Sequence, residues 1–234
     1  MKPSSLLSVL AAIPTFLALF GLTPAAVAAE PSFTSPKGFT ITPPDGWVVA
    51  SKDATSVATE VFKKKFPKFD GANLDRMAVL LLNPADTGGT NLNVVVSPAR
   101  MPIDASDAET KVANLVREQF TKMGVSVSKA TATRRTFGTH PAILADVESN
   151  IGGVNTRQWQ AMMISGKQTL IVTCTSSQAS FEKFVPTFTK AIEGMRFPPD
   201  GGGEMPSWLK YGIIGGVVGG LIGLVQKLMA SRKA

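Results

Sequence analysis

The chain holds one histidine and one cysteine among 234 residues, so few side chains could perform acid–base, nucleophilic or metal chemistry. His140 is the one side chain whose unperturbed pKa allows proton exchange near neutral pH. It falls in a Thr139-His140-Pro141 turn, and no Gly-x-Ser-x-Gly elbow accompanies it. We therefore predict a solvated turn histidine. A Ser-His-Asp arrangement stays an open alternative, because serines and acidic residues are plentiful.

Other patterns that bind metals or phosphates are equally sparse. Asp104, Asp107 and Glu109 lie close together in sequence, but carboxylates placed there favour the negatively charged start of a helix over a metal site. The glycine pairs at 88–89 and 152–153 lack the Gly-Lys-Ser/Thr that completes a phosphate-binding loop, and they indicate hairpin turns. We predict no catalytic residue, no metal site and no cofactor, and hence a protein that is not an enzyme.

Cys174 cannot form an intrachain disulfide because it has no partner, so a hydrophobic core must hold the domain together. If its segment is extended, Cys174 lies on the same strand face as Leu170 and Val172. This position predicts a buried, inert thiol. Intermolecular pairing or a reactive thiol is the alternative.

One cluster concentrates positive charge: residues 62–69 read FKKKFPKF, with four lysines among three phenylalanines. Such a composition could contact anionic lipid or an acidic partner close to a membrane. The candidate contacts are Lys63, Lys64, Lys65 and Lys68. The alternative is an amphipathic segment whose phenylalanines pack inward while its lysines stay in water.

Residues 211–225 carry no charge, and at about 100° per residue their six glycines fall on one side of a helix, within roughly 140°. With its flanks, the segment 208–230 would reach about 34 Å, enough to cross a bilayer once. The glycines repeat with the small-xxx-small spacing that lets two helices approach closely, so they predict a helix–helix interface. A monomeric anchor is the alternative. The interface glycines are Gly212, Gly215, Gly216, Gly219, Gly220 and Gly223.

Targeting signals divide the chain into five parts. Residues 1–28 have the apolar core and the Ala-Val-Ala end of a signal peptide, and an exported domain follows at 29–197. A linker rich in proline and glycine covers 198–207, a transmembrane helix 208–230 and a basic tail 231–234. We predict a single-pass protein of the bacterial inner membrane. Its main domain is periplasmic and its C-terminus cytoplasmic, as the positive-inside rule requires.

The basic character of the chain comes largely from its ends. It has 24 Lys and Arg residues against 17 Asp and Glu, a net charge of +7. Without Lys2, Glu204, Lys210 and the three basic residues after position 226, 19 basic and 16 acidic residues remain for the exported domain. An excess this small does not indicate nucleic acid as a partner.

Within the exported domain, hydrophobic periods of two and 3.6 alternate, which is typical of an α+β fold. A capping-box spacing at Ser106 and Glu109 begins a helix that Gly124 ends, and an apolar stripe after Phe181 predicts a last helix with Pro186 near its start or at a kink. Trp47 is expected to fill the core. We predict an antiparallel sheet of about six strands covered by two main helices. Strands are expected at 39–42, 77–82, 92–96, 125–137, 142–150, 154–164 and 169–176.

Three segments resemble a known family: residues 38–47 (GFTITPPDGW), the Gly138-x-x-Pro141-Ala142 start of a meander, and the apolar rhythm of residues 188–197. Together with the long central helix they look like a PsbP-like domain over roughly residues 33–197. That fold is shared by extrinsic photosystem II subunits, a yeast Ran-binding nuclear transport factor and DcrB-type bacterial periplasmic proteins. The resemblance implies a binding or assembly factor rather than an enzyme. A C-terminal glycine-zipper-like membrane helix departs from the family pattern, so no photosystem role is carried over.

These observations favour a non-enzymatic, membrane-tethered extracytoplasmic binding or accessory module that acts through protein–protein contacts or complex assembly. Its partners would be the membrane and, through the glycine face, a second copy or another membrane protein. One alternative is a structural, oligomeric membrane assembly driven by the glycine-faced helix. A lower-ranked alternative is an enzyme with an unrecognised site near His140.

Overall fold

The computed structural model of the protein describes residues 32–50, 76–151 and 153–198. The predicted signal peptide, membrane helix, basic tail and interface glycines lie outside these residues, as do the lysines at 63–68 and most of the linker. Neither helix in the described part of the chain combines the length and the apolar character that a membrane span needs.

The described residues form nine strands and two helices, so the predicted α+β architecture with a large antiparallel sheet and two helices is confirmed. In chain order the elements are β1 (Phe33–Ser35), β2 (Phe39–Ile41), β3 (Val48–Val49), β4 (Met77–Leu82), β5 (Asn91–Ser97), α1 (Ala108–Lys122), β6 (Ser126–Phe137), β7 (His140–Ile151), β8 (Val154–Ser165), β9 (Gln168–Ser177) and α2 (Phe181–Glu193).

The main sheet has seven strands in the order β3-β4-β5-β9-β8-β7-β6, and every neighbouring pair is antiparallel. Six of the predicted strands lie in it, and the two-residue β3 completes it at one edge. The strand predicted at 39–42 is not part of this sheet. It pairs as β2 with β1 in a separate two-stranded sheet.

Strands β6 to β9 form the predicted meander because their connections are too short for anything but hairpins. Ser165 pairs with Gln168 across the β8–β9 turn, which leaves only two residues to reverse the chain. Gly166 adopts a φ of +59° there, a backbone conformation that is unfavourable for residues with a Cβ atom. This glycine therefore fixes the register of the two central strands.

The two helices cover opposite faces of the sheet, so its central strands are buried on both sides. Helix α1 contributes Val112, Val116 and Phe120 to the core on one face. Helix α2 contributes Phe181 and Phe188, among others, to the core on the other face. Trp47, 3% exposed, packs on the α2 side, as predicted. We refer to these surfaces as the α1 face and the α2 face of the sheet.

The predicted capping box at the start of α1 is wrong. The N-cap residue is Asp107, one position later than predicted, and no side chain caps the helix. Glu109 instead accepts a hydrogen bond from the backbone N–H of Arg134 at 2.8 Å, so its carboxylate is unavailable to the helix end. Asp107 pairs with Lys111 at 2.7 Å, and this hydrogen bond lowers the pKa of the Asp107 carboxyl. The helix ends before Gly124 (φ +77°), as predicted, whereas Pro186 lies inside α2 rather than at its start.

Strand β6 forms the second edge of the sheet, and α1 lies against it. Side chains of α1 bond two backbone groups of this strand. Glu109 accepts from the N–H of Arg134, and Arg117 donates to the carbonyl oxygen of Ala130 at 3.5 Å. The edge strand is therefore partly hydrogen-bonded to the helix.

Candidate functional site

His140 is placed differently from the sequence prediction of a solvated turn residue. It begins β7, its Nε2 atom lies 3.2 Å from the carbonyl oxygen of Met195, and its ring stacks on Phe197 with centroids 4.1 Å apart. The half-buried imidazole thus joins the start of β7 to the chain that follows α2. The sequence could not show these contacts because they join residues about 55 positions apart.

Next to His140 lies a cleft of about 390 Å³. Its lining holds one carboxylate, that of Asp104, and no serine or cysteine among the described residues. The Asp104 side chain is 80% exposed and pairs with Arg100 at 3.8 Å. The described lining therefore contains no Ser-His-Asp arrangement, and the one side-chain hydroxyl in it is that of Thr139. Nor does any group of three or more His, Cys, Asp or Glu residues within 32–50, 76–151 and 153–198 have metal-binding geometry.

A larger cleft, of about 640 Å³, lies between α2 and the turn after β2. We call it the α2 cleft. The N–H of Trp47 donates to the carbonyl of Pro44 at 2.9 Å, which closes the Pro43-Pro44-Asp45-Gly46 turn over the helix. Thr40 and Arg196 exchange two backbone hydrogen bonds, of 2.8 and 3.0 Å, and so hold the segment after α2 beside this turn. Two segments far apart in sequence thereby both line the cleft.

The floor of the α2 cleft is apolar and its rim is charged. Trp47, Pro43 and Phe184 supply buried ring surface, and Trp47 meets Phe188 edge-to-face with centroids 6.1 Å apart. The exposed rim carries two cations, Lys190 and Arg196, against the single carboxylate of Asp45. Such a cleft can bind an apolar side chain next to an acidic group.

An ion-pair network lies on the same face of the sheet, beyond this cleft. Arg157 donates from Nε and Nη2 to the two carboxylate oxygens of Asp146, both at 2.9 Å, and its Nη1 contacts Glu182 at the start of α2. The Arg157 guanidinium also lies over the Phe181 ring, 4.8 Å from its centroid. These hydrogen bonds, chiefly those from Asp146, raise the pKa of Arg157. The network joins α2 to β7 and β8. Each of the three guanidinium nitrogens of Arg157 already donates a hydrogen bond to a carboxylate, so we assign the network a structural role.

Cys174 lies in the core on the α2 face together with Leu170 and Val172, as the strand alternation predicts. Its side chain is 0% exposed, and burial raises the pKa of its thiol. A thiol held neutral and out of contact with solvent is a poor nucleophile. The prediction of a buried thiol is confirmed.

We expect Cys174 of the folded protein to resist alkylation by iodoacetamide at pH 8, and to react fully once the chain is unfolded in guanidinium. Because the folded-state pKa is raised, the thiol binds its proton more tightly when folded. The raised pKa of this thiol therefore adds its full stabilisation to the free energy of unfolding below about pH 8.5, the usual pKa of an unfolded cysteine. This stabilisation declines as the pH rises above that value. Mass spectrometry of timed aliquots measures the modification. Complete labelling of the native protein within minutes would contradict the buried position.

No protein-family model matches the sequence, and no curated protein sequence matches it. Solved structures do match. The solution structure of cyanobacterial PsbP (CyanoP) from Synechocystis sp. PCC 6803 is similar with a TM-score of 0.48 and 12% sequence identity, over 76% of this chain and 99% of that one. LpqN, involved in cell envelope biogenesis of Mycobacterium tuberculosis, gives a TM-score of 0.41 and 11% identity over 69% and 83% of the two chains.

A protein from Bacteroides thetaiotaomicron VPI-5482 is similar with a TM-score of 0.42 and 12% identity, over 78% of this chain and 55% of that one. One of these three structures is a PsbP protein. All three TM-scores lie below 0.5, so the architecture given above rests on this chain's own strands and helices.

Proposed function

We propose that the protein is a non-enzymatic binding or accessory module that docks an acidic, partly apolar segment of a partner protein in its α2 cleft. The observation that supports this proposal is the composition of that cleft: an apolar floor of Trp47 and Phe184 beneath a rim with two cations and one carboxylate. Buried aromatic residues are the usual anchors of protein interfaces. Charges on the rim select the partner and speed its approach.

The location belongs to the same proposal. An N-terminal signal peptide would export the domain, and the helix at 208–230 would hold it at the bacterial inner membrane with its C-terminus in the cytoplasm. A linker of about ten residues would keep the α2 cleft within a few nanometres of the bilayer. The partner would then be an envelope protein. The lysines at 63–68 would add contacts with anionic lipid or with the same acidic partner.

The docking site is tested by photo-crosslinking in cells of the native host. A photoreactive amino acid replaces Thr187, a half-buried residue of the cleft, in the full-length chain. We expect one crosslinked species of defined mass. Reversing the rim with Lys190→Glu and Arg196→Glu should lower its yield at least about tenfold, because like charges then face the partner.

A matched control reverses two exposed lysines far from the cleft, Lys122→Glu and Lys167→Glu, which changes the net charge by the same amount. The yield should stay within about twofold of the parent protein. An equal loss in both charge-reversed proteins would show that only net charge matters and would reject the α2 cleft as the docking site.

The six glycines of residues 211–225, which would align on one side of a helix, favour a second candidate function. This is a structural membrane assembly in which that helix forms the contacts between subunits. The same experiment separates the two. If Gly216→Leu with Gly219→Leu abolishes the crosslinked species while the rim reversal leaves it intact, the helix rather than the α2 cleft forms the interface.

A further inference from the structure

The α1 face of the sheet contains a block of polar side chains where an apolar core is expected. We call it the polar array. Its six residues are at most 1% exposed and lie on three neighbouring strands, β5, β9 and β8. They are Asn91, Asn93, Gln158, Gln160, Thr173 and Thr175.

Strand register arranges the polar array in two parallel rows. Thr173 pairs with Asn93 on one side and with Gln160 on the other, which forms the first row. Thr175 pairs in the same way with Asn91 and Gln158 and forms the second. Neighbouring strands lie about 4.8 Å apart and alternate residues about 7 Å apart, so the six side chains cover roughly 10 by 7 Å. This is the footprint of a single hexose or cyclitol ring.

Hydrogen bonding within the polar array is incomplete. Among the described residues, neither polar atom of Asn93, Gln158 or Gln160 has a hydrogen-bond partner, and the hydroxyls of Thr173 and Thr175 have none. More than nine-tenths of buried polar groups in native proteins are paired, so a block of unpaired amides requires an explanation. The adjoining hydroxyls of Ser149 and Thr156 bond each other at 3.0 Å, which shows that this sheet face can pair its own polar groups.

The chemistry of the polar array defines what it can bind. Each amide offers a donor and an acceptor side by side, a pair that matches two neighbouring hydroxyl groups. The polar array contains no ionisable side chain, and a charged ligand buried there would lack a counter-ion. Its border is apolar at one end, where the next row along the strands holds Val95, Ile171 and Met162, and polar at the other end, where Thr156 precedes Gln158 on the same face. Apolar walls with a few convergent hydrogen-bonding groups are typical of small-molecule sites.

We propose that the polar array binds a neutral, hydroxyl-rich small molecule of the size of one hexose or cyclitol. The amides of Gln158, Gln160 and Asn93 bond its hydroxyl groups, and Thr173 and Thr175 supply the remaining contacts. The site lies on the α1 face, on the opposite side of the sheet from the α2 cleft, so the two binding sites are separate. A failed docking test at the α2 cleft therefore leaves this proposal standing, and the reverse also holds.

Thermal unfolding of the full-length protein in detergent tests the site. The protein is incubated overnight with 20 mM glucose, galactose or myo-inositol, each compared with glucose 6-phosphate. We expect at least one neutral probe to raise Tm by more than about 3 °C, and the phosphorylated probe to have no effect. Gln160→Met keeps the side-chain length but removes the amide, and it should reduce the stabilisation at least threefold.

Two comparisons show whether the rise in Tm comes from binding at the polar array: Gln168→Met against the parent protein, and Gln168→Met against Gln160→Met. Gln168→Met makes the same change on the other face of the sheet, at the start of β9, and should respond to the probes as the parent does. Neutral polyols stabilise most proteins weakly by exclusion from the surface, so the difference between Gln160→Met and Gln168→Met is the informative quantity. Equal shifts in both variants, or no shift with any neutral probe, would overturn the proposal and leave bound water as the partner of these amides.

Discussion

We expect Phe188→Ala to lower the free energy of unfolding by about 3–5 kcal/mol, the largest effect of any single change proposed for this protein. Phe188 is 0% exposed and meets three aromatic rings, those of Trp47, Phe181 and Phe184, with centroids 5.5 to 6.2 Å away. Removing the central ring opens a cavity between α2 and the sheet. A domain is usually stable by about 5–15 kcal/mol, so this single loss is a large part of the total.

Urea unfolding of the full-length protein, followed by tryptophan fluorescence, measures this loss, because Trp47 reports directly on the cavity. Lys190→Ala is the control: this exposed residue lies two positions further along the same helix and should change stability by less than about 0.5 kcal/mol. A loss below about 1 kcal/mol for Phe188→Ala would show that α2 does not pack on the sheet as described.

The second large effect is expected at the ion-pair network. Asp146→Ala should cost about 2–3 kcal/mol, because it removes both 2.9 Å bonds to Arg157 and leaves that cation with only an exposed partner. The Asp146 and Arg157 side chains are 19% and 18% exposed. Glu182 contacts the same guanidinium but is 74% exposed, so Glu182→Ala should cost less than about 0.5 kcal/mol.

The two variants compare a partly buried carboxylate that accepts two hydrogen bonds with an exposed carboxylate that accepts one, on the same arginine. Urea unfolding at 0.05 and 1 M NaCl measures both losses. The cost of Asp146→Ala should change little with salt, because salt screens partly buried pairs weakly. Equal costs for the two variants would refute the view that burial makes Asp146 the stronger partner.

Local features of the fold could be predicted where the chain itself determines them. The β6–β9 meander follows from connections too short for any other topology, and Gly124 and Gly166 mark chain reversals that few other residues allow. Trp47 could be placed in the core because a large apolar ring follows directly after a Pro-Pro-Asp-Gly turn. Each of these inferences uses residues close together in sequence.

The two candidate binding sites could not be predicted, because they depend on packing between distant segments. Alternation in β8 would assign Gln158 and Gln160 to a solvated face, yet both are fully buried. The α2 cleft requires knowing that Arg196 pairs with Thr40, and nothing in either segment indicates this contact. His140 gained its partner in the same way, from Met195.

The contacts between α1 and β6 have a consequence for how copies of the protein can meet. An open edge strand is a template onto which another chain can add a strand, and this is a common route to aggregation. Glu109 and Arg117 already occupy two backbone groups of β6, so a second chain would have to displace the helix before pairing there. At the opposite edge, β3 offers only two residues. A second chain that adds a strand to this sheet therefore meets α1 at one edge and the short β3 at the other.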